Sequence, residues 1–112
     1  MLANTFSVTD VSTSVIDDIP FEETVFCESL SERQVIREFS ETTDKDDLIW
    51  HRDRECRILT VIQSDGWQFQ SDNELPIDLS RGDVIYIEPA MWHRVIKGKG
   101  SLILHLQIQK SK

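Results

Sequence analysis

Residues 57–70 read RILTVIQSDGWQFQ, and their pattern extends to most of the chain that follows. Residues 57–63 carry four aliphatic side chains in seven positions, which is typical of a buried strand. The next three residues, Ser64-Asp65-Gly66, supply a tight turn, and residues 67–70 follow as a second strand. We therefore predict a pair of adjacent strands over this stretch.

Further short strands, separated by turn residues, follow along the chain. Residues 75–79, 84–87 and 102–108 are rich in aliphatic side chains, and turn signals stand between them at 81–83 and 97–100. Short strands at regular spacing with turns between them favour a β-sandwich or a small barrel over a fold with crossover helices.

The last predicted strand has two distinct faces. Alternate residues of a strand point to opposite sides of the sheet. One face carries Leu102, Leu104, Leu106 and Ile108, and the other carries Ser101, Ile103, His105, Gln107 and Gln109. The apolar face is expected to lie in the core.

The segment after residue 30 has two competing interpretations. Ser31 and Gln34 have the spacing of a capping box, which predicts a short helix over residues 31–36. A strand over residues 34–40 is the alternative, because the apolar residues there show no clear period.

The N-terminal part of the chain differs in composition from the rest. Residues 1–30 are rich in Ser, Thr, Asp and Glu, so we interpret them as a polar extension that adds an edge strand to a β-barrel domain at 31–112. Residues 42–47 form a polar loop within that domain.

Length and charge limit the classes of function. The chain has 112 residues, which is enough for one core, and a formal net charge of −8. Nucleic acids and anionic membranes are therefore poor partners, because their binding depends on basic side chains. Two cysteines make no disulfide framework, and no signal peptide or apolar span is visible, so we expect reduced thiols and a cytoplasmic protein.

Three residues form a candidate metal site. His51 and Asp53 are two positions apart in an extended segment, which places both side chains on one face, and His93 follows 40 positions after Asp53. Two imidazoles and one carboxylate make a facial triad, a ligand set that suits Fe(II) best and leaves positions open for other ligands.

The residues around this triad resemble the two signature motifs of the cupin superfamily. The stretch HRDRECRILTVIQS at 51–64 is similar to the first motif, which has the form His-x-His followed by Glu and Gly. His51 matches its first histidine, whereas Asp53, Arg57 and Ser64 stand in place of the second histidine, the glutamate and the glycine.

The second motif is matched by residues 82–93, GDVIYIEPAMWH. Gly82 and His93 match the family pattern, and Glu88 and Ala90 replace its proline and glycine. The resemblance covers roughly residues 34–109. It implies an all-β fold, the cupin-type antiparallel β-barrel or double-stranded jelly roll, with one divalent metal ion (Fe, Mn, Ni or Zn) and a homodimer as the expected assembly.

The departure at Arg57 leaves two functions open. In a metal-dependent cupin enzyme, His51, Asp53 and His93 would hold the ion, which would act on a small molecule. If Arg57 instead pairs with Asp53, a non-enzymatic, metal-free pocket of His51, Arg57 and His93 would bind or sense a small anionic ligand.

Other residues are candidates for ligand binding, with packing as the alternative role. The set consists of Trp67, Tyr86, His105 and Gln107, together with Arg57. Trp67 would wall a ligand pocket or fill the core. His105 would act behind the metal ligands, paired with Gln107. Cys56 is disfavoured as a nucleophile, because its even position points it away from His51.

Overall fold

The structure is a computed structural model that describes residues 19–110. Two antiparallel sheets pack face to face, one of five strands in the order β1-β2-β8-β3-β6 and one of three strands in the order β5-β4-β7. The strands are β1 (Glu22–Glu28), β2 (Glu32–Phe39), β3 (Arg57–Asp65), β4 (Gln68–Ser71), β5 (Ile77–Asp78), β6 (Val84–Ile87), β7 (His93–Ile96) and β8 (Lys99–Gln109). The predicted all-β fold is confirmed.

Strand β8 forms the middle of the large sheet. It pairs with β2 on one side and with β3 on the other. Its alternation is as predicted, because Leu102, Leu104, Leu106 and Ile108 are all buried in the core between the sheets. The core therefore lies on the even-numbered side of β8 and on the odd-numbered side of β2 and β3.

The small sheet covers this core from the other side. Phe69 of β4 and Leu79, just after β5, are buried there, and Trp67 at the start of β4 is 0% exposed. The ring of Trp67 lies 5.9 Å from that of Phe39, which joins the two sheets at one end of the sandwich.

The helix predicted over 31–36 is wrong, and the competing strand is correct. The segment forms β2, which pairs with β1 and β8 along its length. Ladder hydrogen bonds and burial of Val35 and Phe39 outweigh the local capping signal, because helix propensity is a weak preference that tertiary context overrides.

The structure departs from the sequence prediction in three further places. Residues 93–96 form β7, a strand that the sequence did not reveal. The extended segment before β3 is not a strand in its own right, since only His51 forms a bridge there. A 3-10 turn at Lys45–Asp47 interrupts the predicted polar loop.

Strand β1 forms one edge of the large sheet, and all seven of its residues are exposed. The remainder of the predicted extension, residues 1–18, lies outside the described residues. Cys27 and Cys56 are both free thiols. Within residues 19–110, no helix is long and apolar enough to cross a membrane.

Candidate metal centre

The two histidines of the triad are cross-strand neighbours. His93 begins β7, and His51 pairs with it through two backbone hydrogen bonds, His51 N to His93 O at 3.0 Å and His93 N to His51 O at 2.9 Å. Their ring centroids are 4.2 Å apart. A bridge of this kind places both side chains on the same face of the sheet.

Asp53 reaches the same point from the connection between this bridge and β3. Its backbone oxygen accepts a hydrogen bond from Ala90 N at 2.6 Å, and the residue is 7% exposed. The potential ligand atoms of His51, Asp53 and His93 all lie within 4.8 Å of one another. The structure thus brings together the three residues that the sequence singled out.

Backbone carbonyls fix the orientation of both imidazoles. His51 Nδ1 donates to Ile49 O at 3.2 Å, and His93 Nδ1 donates to Met91 O at 2.8 Å. This arrangement leaves Nε2 of each ring free to act as a ligand, which is the usual support of a metal-binding histidine. The ring of Phe69 stacks against His93 at 5.7 Å and covers it from the core side.

The surroundings favour the neutral form of both histidines. Burial, followed by the proximity of His93, lowers the pKa of His51 from 6.5 to about 4. Burial likewise lowers the pKa of His93, against the opposing effects of its hydrogen bond to Met91 and of Asp53. A neutral imidazole keeps the lone pair that a metal ligand needs.

The two carboxylate oxygens of Asp53 have different neighbours. Oδ1 lies 3.3 Å from a terminal nitrogen of Arg57, and Oδ2 lies 3.4 Å from His93 Nε2. Oδ2 is buried and has no hydrogen-bond partner. Arg57 therefore contacts one oxygen of Asp53, as the metal-free alternative expected, and leaves the other oxygen facing His93.

The donor set fits a divalent metal ion. Two imidazole Nε2 atoms and the orphaned Oδ2 of Asp53 converge, and a buried carboxylate oxygen without a partner is costly unless a cation or a donor satisfies it. Arg57 on the opposite oxygen would orient the carboxylate. The ligand set is that of a two-histidine, one-carboxylate facial triad.

Sequence reasoning missed one charged residue near the centre, Arg37 of β2. Its guanidinium pairs with Glu23 at 2.7 Å and lies 3.9 Å from the centroid of the Phe21 ring. It also contributes to the lowered pKa values of His51 and His93. Its odd position in the sequence, between the buried Val35 and Phe39, could have shown that its side chain faces the interior of the sandwich.

Three of the predicted ligand-binding residues lie on the outer face of the large sheet. Tyr86 is 58% exposed, between the inward-facing Ile85 and Ile87. His105 Nε2 donates to Gln34 Oε1 at 3.1 Å, and Gln107 Nε2 donates to Glu32 Oε1 at 2.8 Å. None of the three lines the metal centre, because strand alternation turns them away from the core, although Tyr86 does line a cleft beside it.

The positions of two other candidate residues bear on their predicted roles. Trp67 fills the core, and its Nε1 donates to Lys99 O at 3.1 Å, so it presents no surface to a ligand. Cys56 lies beside Tyr86, whose pKa it raises through a hydrogen bond. This contact places the thiol on the outer side, as its position in the strand indicated.

A cleft adjoins the centre on the side of His93. It has a volume of about 340 Å³ and lies between β5 and β6, with Phe69, Ile77, Ile85 and Met91 among its lining residues. Phe69 and Met91 also contact His93. A small molecule could therefore approach the centre along apolar side chains.

Comparison with solved structures finds similar folds at low sequence identity. A cupin domain from Bordetella pertussis Tohama I is 15% identical with a TM-score of 0.62, over 81% of this chain and 94% of that one. An RmlC-like cupin from Shewanella frigidimarina is 14% identical with a TM-score of 0.69, over 83% and 78% of the two chains. The DMSP lyase DddQ from Ruegeria pomeroyi is 11% identical with a TM-score of 0.65, over 82% of this chain but only 48% of the lyase. No protein-family model and no curated protein matches the chain.

Proposed function

We propose that this chain, which has the cupin fold, binds one divalent metal ion through His51, Asp53 and His93 and uses it to act on a small molecule. Iron, manganese, nickel and zinc all accept imidazole and carboxylate ligands. The proposal concerns the chain's own residues, because the similar structures share only the fold with it.

One observation carries the proposal. Two histidines whose Nδ1 atoms are bound to backbone carbonyls turn their Nε2 atoms toward a buried carboxylate oxygen that has no hydrogen-bond partner. A histidine pair used only for packing would need neither this orientation nor an orphaned acceptor beside it.

Each residue of the centre has a distinct part. His51, Asp53 and His93 would hold the metal, which when bound would supply Lewis-acid or oxygen-activating chemistry. Arg57 places its positive charge 3.3 Å from the second oxygen of Asp53, which favours the orientation that turns the first oxygen to the histidines. Phe69 covers His93 and keeps water away from that side of the ring.

Metal content per chain tests the proposal. Protein purified without chelator, or reloaded with Fe, Mn, Ni or Zn, should hold close to one ion per chain by elemental mass spectrometry. His93→Ala should abolish loading, because the remaining two ligands bind the ion far more weakly.

The chain offers a matched control in its third histidine. His105 lies on the outer face of the large sheet, so His105→Ala should leave the metal content unchanged. A wild type that neither holds nor takes up metal would contradict the proposal, as would full metal content in His93→Ala.

A further inference from the structure

Arg57 is a buried guanidinium with most of its donors unused. The residue is 8% exposed, and the only hydrogen bond of its side chain among the described residues runs from Nη2 to Glu55 Oε1 at 3.4 Å. Its Nε is buried and has no partner. A guanidinium has five N–H donors, and buried polar groups are nearly always satisfied, so this side chain is prepared for an acceptor that the chain itself does not provide.

Arg37, another inward-facing arginine of the sandwich, does not share this deficit, although Nε of Arg33 is likewise buried without a partner. Its Nε donates to Glu23 Oε1 at 2.8 Å, its terminal nitrogen reaches the same oxygen at 2.7 Å, and Phe21 covers the guanidinium. Arg57 has only long contacts, at 3.3 Å to Asp53 and 3.4 Å to Glu55.

The position of the unused donor points to the metal centre. Nη2 of Arg57 contacts Asp53, whose other oxygen faces His93, so the guanidinium borders the triad. The edge formed by Nε and Nη2 is the one that pairs side-on with the two oxygens of a carboxylate. On this edge Nε is vacant and Nη2 has weak contacts only.

The charges at the centre agree with an anionic ligand. Asp53 brings one negative charge to the space between the histidines and Arg57, and Arg57 brings one positive charge. With a divalent ion bound, and with Glu55 as a second carboxylate in contact with Arg57, the charges at the centre would sum to an excess of one positive charge. Such an excess, in a buried site, is best neutralised by an anion.

We propose that the small molecule received by this centre is a carboxylate, held by the Nε edge of Arg57 next to the metal ligands. This inference rests on the proposed metal function, which it deepens by naming the class of ligand. Arg57 thereby binds the ligand and orients Asp53, and it does not itself ligate the metal.

The test uses cobalt-loaded protein and simple carboxylates. Acetate, propionate and benzoate are titrated into the Co²⁺ form, and binding is followed by the visible absorption of the ion and by the rise in melting temperature. Benzamide, a neutral analogue of benzoate, serves as the control ligand. Wild type should bind at least one carboxylate and should bind benzoate in preference to benzamide.

Two variants test whether Arg57 contributes to carboxylate binding. Arg57→Met keeps most of the length of the side chain but removes the guanidinium. It should weaken carboxylate binding by about tenfold or more, which is the effect expected from losing a hydrogen bond between charged groups. Arg54→Met removes the same charge from an exposed residue of the same connection and should change affinity less than twofold. Each protein is saturated with Co²⁺ before the titration, so that a change in metal affinity does not enter the comparison of carboxylate affinities.

The outcomes separate this inference from the metal proposal. Failure of the wild type to bind Co²⁺ contradicts the metal function. Co²⁺ binding without carboxylate binding, or carboxylate binding of equal strength in wild type and Arg57→Met, overturns the present inference alone. Should Arg57→Met not fold, Arg57→Lys replaces it, and retention of full carboxylate affinity in the lysine variant would overturn the inference as well.

Discussion

At the scale of single residues, His51 is held neutral by its surroundings. Its pKa falls from 6.5 to about 4, chiefly through burial and then through the neighbouring His93. Between these two pH values the unfolded chain binds a proton that the folded, metal-free chain does not. The free energy of unfolding therefore decreases as the pH falls through this window.

This shift predicts a specific difference between wild type and His51→Gln. In urea denaturation of metal-free protein, wild type should lose about 1–3 kcal/mol more stability than the variant between pH 7.5 and pH 4.5, because glutamine has no proton to gain. His93, whose pKa is also lowered, acts in the same direction in both proteins. Parallel stability profiles for the two proteins would contradict the expected titration of His51.

The ligand residues were predictable at this scale, and their polar neighbours were not. His51, Asp53 and His93 could be chosen by their chemistry and by the motif that they resemble. The pairing of Arg57 with Asp53 was one of two alternatives in the sequence analysis, whereas its contact with Glu55 depends on a non-strand connection that no periodicity describes. His105 and Gln107 lie away from the metal centre, as their odd positions in β8, opposite the leucine face, indicate.

At the scale of elements, the segment that carries His51 is attached to β7 by few contacts. Besides the two backbone hydrogen bonds of the bridge, two cation–π pairs lie on its outer face. The Arg94 guanidinium is 4.8 Å from the Trp50 ring centroid, and that of Arg52 is 5.0 Å from the Trp92 ring centroid. Each pair joins the residues that flank the paired histidines, so together they hold His51 beside His93.

Removing both cations should loosen the centre. The double variant Arg52→Met/Arg94→Met loses two interactions of about 0.5–1 kcal/mol each, so metal affinity should fall by roughly 5- to 30-fold, measured by competition with a chromophoric chelator. Arg52→Lys/Arg94→Lys keeps a cation over each ring and should restore most of the affinity. Equal metal affinity in all three proteins would show that the backbone bridge is sufficient.

Elements with strong alternation were predicted well, and short or locally ambiguous ones were not. Strand β8 has eleven residues and a regular pattern of burial, and β6 was predicted with its observed bounds. Strand β7 has only four residues, His93–Ile96, too few for a period to appear. Strand β2 carries a real helix-capping signal that its two strand neighbours override.

At the scale of the whole molecule, the metal centre lies near one end of β8, and the aromatic contact that joins the two sheets lies near the other end. Ile108 of β8 is paired with Arg57, next to the centre, whereas Leu102 is paired with Phe39, which packs on Trp67. Six residues of strand separate the two ends, or roughly 20 Å. The overall fold could be predicted from the strand spacing and the family resemblance. The homodimer stays a prediction, because a surface for self-association produces no periodic pattern in the sequence.

This separation predicts that stability and metal affinity can be altered independently. Gly98 lies between β7 and β8, and a Cβ atom there would overlap the backbone of Asp65, Gly66 and Trp67 in the turn between β3 and β4. Gly98→Ala should therefore lower the free energy of unfolding by about 1–3 kcal/mol, because two backbone segments must move apart. Thermal and urea denaturation of the metal-free protein would measure the loss.

The metal affinity should not change in the same variant. At temperatures where Gly98→Ala is fully folded, its affinity for Co²⁺ should stay within about twofold of wild type, as expected for sites too distant to couple. Lys99→Ala, an exposed neighbour in the same turn, should alter neither quantity. A loss of metal affinity in Gly98→Ala without a loss of stability would mean that the turn reaches the centre through β7, whose first residue is His93.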